Sequence, residues 1–183
     1  MHSLCPLPLP RRGCYPPTIM SGGVASTGAA CYLPALLLDQ AMGVALAEAE
    51  HAGRDGEVPV GAVLVWDGQV IARDHNRREE CADPLAHAEL LVIREAARRL
   101  GRWRLERAAL VVTLEPCPMC MGAILQARIP VLAYGAADPK AGAAGSLFDL
   151  ADDPRLNHAV EVVRGVRGDE AAKLLREFFR ERR

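Results

Sequence analysis

Net charge is almost absent from the sequence. The 183 residues contain 22 Lys and Arg against 23 Asp and Glu, which leaves a formal charge of −1. This balance excludes the overall positive field of a nucleic-acid coat protein, so any contact with nucleic acid must come from a local patch. The sequence also has no apolar run that approaches the length of a membrane span, and no internal repeat at the periods of solenoid proteins.

A disulfide framework is absent as well. Of the six cysteines, three lie in the first 31 residues and Cys81 is isolated, unlike the dense pattern of a small secreted domain. The N-terminal segment contains five prolines and lacks the continuous apolar core of a signal peptide. These absences predict a reducing, cytoplasmic setting and argue against a disulfide between Cys117 and Cys120.

The first 34 residues differ in composition from the rest of the chain. Residues 1–34 are rich in Pro, Gly, Ser and small residues without periodicity, which predicts a disordered leader. A translation start assigned too far upstream gives the same pattern, with Met20 or Met42 as the alternative start. We therefore expect the folded domain to span residues 35–183.

The remaining sequence alternates between helical and strand patterns. A helix is predicted from Leu36 to about His51, followed by two strand-like runs joined at Asp67-Gly68, a strong hairpin signal. The order that follows is helix, strand, helix, strand, strand and a C-terminal helix from about Asp169. This order predicts an α/β domain with a mixed five-stranded sheet between two layers of helices.

The phrase LEPCPMCMG at residues 114–122 places Cys117 and Cys120 at the start of a predicted helix. A C-x-x-C pair alone is typical of a structural zinc half-site or a redox motif. Zinc requires more ligands, and His87 is the best third ligand among the five histidines because it also begins a predicted helix, directly after Pro84. Two helices that leave parallel strands at the same end of a sheet would bring these residues together.

Three protein ligands are typical of a catalytic zinc, which keeps its fourth position for water and lowers the pKa of that water to about 7. Glu89 follows His87 by two residues and can act on the water without binding the metal. Alone, Glu89 would be only a favourable acidic residue in a first helical turn. Together the residues match the His-x-Glu and Pro-Cys-x-x-Cys signature of zinc nucleobase deaminases.

Several longer phrases support a narrower assignment. They are EVPVGAVLV at 57–65, DPLAHAE at 83–89, TLEPCPMC at 113–120, DPKAGAAGSL at 138–147 and the terminal FFRERR. With these phrases the sequence, from about Leu38 to Arg183, resembles the bacterial tRNA-specific adenosine deaminases of the cytidine deaminase-like superfamily. HAE and PCxxC indicate only the superfamily, whereas GAAGSL and the FFR-containing helix indicate the tRNA enzymes.

The resemblance implies a three-layer α/β/α cytidine deaminase-like fold over residues 35–183 and one Zn²⁺ per chain. The implied reaction is hydrolysis of adenosine to inosine at the wobble position of a tRNA anticodon stem-loop, carried out by a homodimer. His87, Cys117 and Cys120 would hold the zinc, and Glu89 would transfer protons.

The resemblance also implies six substrate-binding residues. Asn76 would hydrogen-bond the flipped nucleotide, and Val58 would form an apolar wall of the base pocket. Asp138 and Lys140 would line a loop that meets the anticodon backbone. Phe179 would pack beside the base pocket, with Arg180 near the RNA. At least one of Phe178 and Phe179 must be core, because both fall on the apolar face of the last helix.

Two alternatives remain on sequence grounds. The first is a deaminase of a free base or nucleoside, such as guanine or cytosine. The second is a zinc-stabilised RNA-binding module without catalysis. The sequence also departs from the tRNA enzymes at His75 and Arg78, where relatives often have an aromatic residue and a proline, so this loop is expected to approach RNA differently.

Overall fold

A computed structural model describes residues 34–182 of the protein. The predicted leader, apart from Pro34, lies outside the described residues. The strands are β1 (Gly61–Trp66), β2 (Gln69–His75), β3 (Ala108–Leu114), β4 (Val131–Ala136) and β5 (Glu161–Arg164). The helices are α1 (Ala35–Arg54), α2 (Arg78–Cys81), α3 (Ala88–Leu100), α4 (Pro118–Gln126) and α5 (Gly168–Glu181).

The five strands form one mixed sheet in the order β2-β1-β3-β4-β5. β1 is antiparallel to both β2 and β3, whereas β3, β4 and β5 are parallel to their neighbours. The predicted hairpin turn is confirmed: Asp67 and Gly68 both have positive φ, 50° and 78°, as a two-residue turn between twisted strands requires. A register shift between Leu64 and Val65 then adjusts the pairing of the hairpin.

The sheet is covered by helices on both faces, which confirms the predicted three-layer α/β/α fold. Alternate residues of each strand point to opposite faces, as the pleat dictates. Val63, Val111 and Ala133 pack with α1 and α5, whereas Leu64, Leu110 and Leu132 pack with α3 and α4. The functional residues are thus placed by two separate cores that share one sheet.

The sequence pattern did not predict α2. This helix is only four residues long and contains no buried residue, so it has no hydrophobic periodicity to detect. It begins where the carboxylate of Glu57 accepts hydrogen bonds from the amides of Glu79 and Glu80, at 2.7 and 3.0 Å. Among the described residues, no helix is both long and apolar enough to cross a membrane.

Gly61 allows α1 to approach β1 closely. A Cβ atom at this position would overlap the carbonyl oxygen of Ala45 and lie 2.6 Å from the amide nitrogen of Ala49, both in the backbone of α1. The amide of Gly61 donates to the hydroxyl of Thr113 at 3.1 Å, which fixes the start of β1 against β3. A side chain at residue 61 would therefore force the helix away from the sheet.

We expect Gly61→Ala to lower the free energy of unfolding by about 1–3 kcal/mol, the usual range for overpacking a core. Urea denaturation would measure the change. Gly53→Ala, in the last turn of α1, is a matched control, because its Cβ would meet only Pro59 at an ordinary 3.7 Å. Equal loss of stability in both variants would contradict the packing argument.

Candidate metal centre and adjoining cavity

The sheet places two helix N-termini at one edge. β2 and β3 point in the same direction because β1, which lies between them, is antiparallel to both. α3 follows β2 through the loop that contains α2, and α4 follows β3 directly. His87 is the residue before α3 and Cys117 the residue before α4, both with extended backbone. The predicted meeting of these helix starts is confirmed.

His87, Cys117 and Cys120 form a cluster whose donor atoms all lie within 4.8 Å of one another. Nδ1 of His87 is 3.9 Å from Sγ of Cys117 and 3.5 Å from Sγ of Cys120. A tetrahedral zinc with ordinary bond lengths would hold such nitrogen and sulfur atoms about 3.6 Å apart. The donor set and its spacing therefore suit a zinc ion.

Local electrostatics favours a thiolate at this cluster. The hydrogen bond from the Cys120 thiol, together with His87, lowers the pKa of Cys117 to about 4. The same hydrogen bond and burial raise the pKa of Cys120. Interaction with Cys117 also raises the pKa of His87. The cluster thus carries one ready thiolate, and a divalent cation would favour loss of the second thiol proton.

Glu89 lies in the first turn of α3 and is only 4% exposed. Burial raises the pKa of its carboxyl group. Its Oε2 has no hydrogen-bond partner among the described residues. Buried polar atoms are rarely left unpaired, so this oxygen indicates a place where a ligand or water belongs.

Asn76 connects this centre to the neighbouring surface. Its Oδ1 accepts a hydrogen bond of 3.0 Å from the amide of Ala88, the first residue of α3, and its Nδ2 donates to the carbonyl of Val58 at 3.3 Å. These contacts hold the start of α3 next to the segment before β1. An amide nitrogen carries two hydrogens, so the Nδ2 group retains one donor for a ligand.

A cavity of about 730 Å³ lies beside the centre. Val58, Asp138, Lys140, Phe179 and Arg180, five of the six predicted substrate-binding residues, line it, whereas the three metal-cluster residues do not. Leu114, Ala137, Pro139, Leu175, Arg176 and Arg182 complete the lining. The hydrogen bond from Asn76 to Val58 joins the cavity to the metal cluster.

The C-terminal helix contributes both core and cavity residues. Phe178 is 8% exposed and Phe179 is 50% exposed, so the first is the core residue. The two rings meet edge to face with centroids 5.4 Å apart, and Arg182 lies over the ring of Phe178. α5 therefore anchors itself through Phe178 and offers Phe179 to the cavity.

Sequence reasoning missed Glu115, which lies between β3 and the cysteine motif. It is 2% exposed, and its carboxylate accepts hydrogen bonds from the amides of Asp138, Ala144 and Ser146, each at 3.0 Å. The Ser146 hydroxyl donates as well. Burial favours a raised pKa, but these hydrogen bonds outweigh it and lower the pKa of Glu115. The only sequence signal was an acidic residue in an otherwise buried stretch.

Comparison with known proteins identifies the family. A family model described as MafB19-like deaminase matches residues 38–183. A tRNA-specific adenosine deaminase of Bacillus subtilis is 53% identical over 139 residues, which cover 76% of this chain and 86% of the relative. This chain belongs to the tRNA-specific adenosine deaminase family.

Solved structures agree with this assignment. A structure from a study of A-to-I editing by tRNA:A34 deaminases has a TM-score of 0.72 and 51% identity, and the match covers 74% of this chain and 99% of that one. A guanine deaminase from Nitrosomonas europaea has a TM-score of 0.64 and 25% identity over 85% of this chain and 98% of that one. The tRNA-specific adenosine deaminase family thus shares its architecture with enzymes named for a free base.

We expect Cys117→Ala and Cys120→Ala each to lose at least 90% of the bound metal, about the loss that a hundredfold weaker site would give at limiting metal. Each change removes one of three protein ligands. Cys81→Ala is the matched control, because Cys81 lies outside the cluster. Elemental analysis of the purified proteins would measure the metal. Stoichiometric metal in both cluster variants would refute the ligand assignment.

Proposed function

We propose that this protein is a zinc-dependent enzyme that hydrolyses adenosine to inosine at the wobble position of a tRNA anticodon. The observation that carries the proposal is the unpartnered, buried carboxylate of Glu89 beside the cluster of His87, Cys117 and Cys120. The family supports the same reaction, since its named members are tRNA-specific adenosine deaminases.

His87, Cys117 and Cys120 would hold one zinc ion per chain. When bound, zinc supplies a Lewis acid that makes water nucleophilic at neutral pH. The helix N-termini at His87 and Cys117 orient two of the donors, and burial of Cys120 keeps the third away from solvent. The protein's own part is to fix these donors before substrate arrives.

Glu89 would carry the protons of the reaction. Its carboxylate accepts a proton from the attacking water and delivers one to the ring nitrogen next to the reacting carbon. The same group then protonates the departing ammonia, so one carboxyl group serves as base and acid in turn. Burial raises its pKa toward the range in which both forms are accessible, which suits this double role.

The charge of the cavity favours RNA over a free base. Four cationic side chains line it against one carboxylate, Asp138, although the whole chain has a charge of −1. The cationic residues are Lys140, Arg176, Arg180 and Arg182. A neutral base needs no such cluster, whereas phosphate groups of an anticodon loop bind to it. Val58 and Phe179 offer the apolar contacts that an extruded nucleobase would use.

We further propose that the enzyme is a homodimer that acts on tRNA in the cytoplasm. Leu147 and Phe148 support an interface, because both are 52% exposed and lie next to each other in the loop after β4. Adjacent exposed apolar side chains are typical of interaction surfaces.

Sedimentation velocity would test the dimer. We expect Phe148→Asp to sediment as a monomer, because a carboxylate would have to be buried in the interface. Trp103→Asp is the matched control: Trp103 is 60% exposed and precedes β3 at the opposite end of the sheet. A wild-type monomer at micromolar concentration would refute the proposal.

We expect Glu89→Gln to reduce inosine formation in an anticodon stem-loop by about 10³-fold or more, since a general acid–base group contributes about 10²–10⁴ in rate and Glu89 acts in several steps. Metal content should stay at one ion per chain. Glu95→Gln is the control, because Glu95 lies on the same helix and pairs with Arg98 and Arg99 on its outer face.

The same assay separates the alternatives. Turnover of free guanine, cytidine or adenosine with an unchanged stem-loop would establish a free-base or nucleoside deaminase. Absence of any deamination, with stem-loop binding unaffected by Glu89→Gln, would establish a non-catalytic zinc protein. Either result would replace the proposed function.

A further inference from the structure

The segment 138–146, here called the substrate loop, has little regular structure of its own. It follows β4 and contains an isolated bridge between Ala144 and Asp149 as its pairing to the next residues. Two of its residues, Asp138 and Lys140, line the cavity. Something other than a sheet or a helix must therefore hold these side chains in place.

Glu115 supplies most of the contacts that hold the loop. Oε1 accepts from the amides of Ala144 and Ser146, and Oε2 accepts from the amide of Asp138 and the hydroxyl of Ser146. These donors span the loop from its first residue to its last. One buried carboxylate thus closes a nine-residue loop onto the end of β3.

The contact is relayed to Lys140. Glu115 fixes the backbone of Asp138, and Oδ1 of Asp138 in turn accepts from the amides of Lys140 and Ala141 at 2.9 and 3.2 Å. At Gly142, a Cβ atom would overlap the Glu115 carboxylate and lie 2.6 Å from the carbonyl of Asp138. The loop therefore wraps the carboxylate too closely for any side chain at residue 142.

Arg164 holds the same loop from the opposite side. Its Nη2 donates to the carbonyl of Ala144 at 2.9 Å, while the amide of Ala144 donates to Glu115 at 3.0 Å. The guanidinium lies against Gly145, where a Cβ would approach Nη2 to 2.9 Å. Ala144 is thus held through both its peptide groups by two side chains of opposite charge.

Glu115 also belongs to the metal motif. Two residues separate it from Cys117, and the carbonyl of Pro116, between them, accepts from the amide of Ala143 at 2.8 Å. The substrate loop and the metal-binding turn are therefore joined through three consecutive residues of one chain.

We propose that Glu115 and Arg164 are positioning residues that fix the substrate loop so that Lys140 and Asp138 face the RNA. This inference rests on the proposed function. Neither residue takes part in the chemical step. Their loss raises KM for the anticodon stem-loop and leaves kcat and metal content largely unchanged.

The test compares wild-type protein with Glu115→Gln. The glutamine amide group cannot accept the N–H donors that one carboxylate oxygen accepts, so the loop loses part of its attachment. We expect KM for the stem-loop to rise about tenfold or more, as for lost hydrogen bonds to a charged group. We expect kcat to stay within about threefold and metal content to remain at one ion per chain. Glu95→Gln, which removes an exposed carboxylate from α3, is the control.

Hydrogen exchange on the protein without RNA gives a second, independent readout. In Glu115→Gln the amides of Asp138, Ala144 and Ser146 should exchange at least about tenfold faster than in wild type, because they lose a charged acceptor. Unchanged exchange, or faster exchange with unchanged KM, would overturn the proposal. If wild-type protein makes no inosine, the proposed function fails, and the exchange data still decide whether Glu115 fixes the loop.

Arg164→Met provides a variant that leaves the buried carboxylate intact. Because both side chains act on Ala144, the combined increase in KM in the double variant should be several-fold smaller than the product of the single increases. Increases that simply multiply would show that the two residues act independently, and would overturn the role of Arg164. If Glu115→Gln does not fold, Arg164→Met and Ser146→Ala allow the same kinetic and exchange measurements.

Discussion

The directions of three strands determine where the chemistry can occur. β1 is antiparallel to both of its neighbours, so β2 and β3 must point the same way. The helices that follow them begin at one edge of the sheet, and the residues at those beginnings, His87 and Cys117, face each other. Reversing either strand would separate the donors by the length of the sheet. The rest of the site elaborates this meeting of two helix starts.

The same meeting concentrates partial positive charge, because the first amides of each helix have no partner within it. That field favours thiolates at Cys117 and Cys120 and opposes the cost of burying Glu89. The opposition is incomplete, since burial still raises the pKa of Glu89 and one of its oxygens has no partner. Such a residue is unfavourable for stability alone, and its retention in the core fits a group whose partner arrives with the substrate.

The parts of the structure that were predictable are those that local patterns encode. Asp67-Gly68 specified its turn, Gly101 ended α3 with φ of 64°, and the spacing of His87, Glu89, Cys117 and Cys120 specified the centre. Glu57 and Glu115 could not be found in this way. Their partners lie more than 20 residues away and are backbone amides, which every residue type except proline provides. Only the folded chain selects which amides they bind.

Asn76 illustrates why a residue's role is hard to divide between structure and function. Its side chain supports the start of α3 and the segment that carries Val58, yet retains a donor toward the neighbouring cavity. Glu115 behaves similarly at the other side of the centre, because it supports both the cysteine motif and the substrate loop. Buried polar side chains with backbone partners thus join the metal cluster to the RNA-facing surface on two sides. A change in the substrate loop or before β1 is therefore transmitted to the centre through hydrogen bonds, and the cavity and metal cluster act as one site although they share no lining residue.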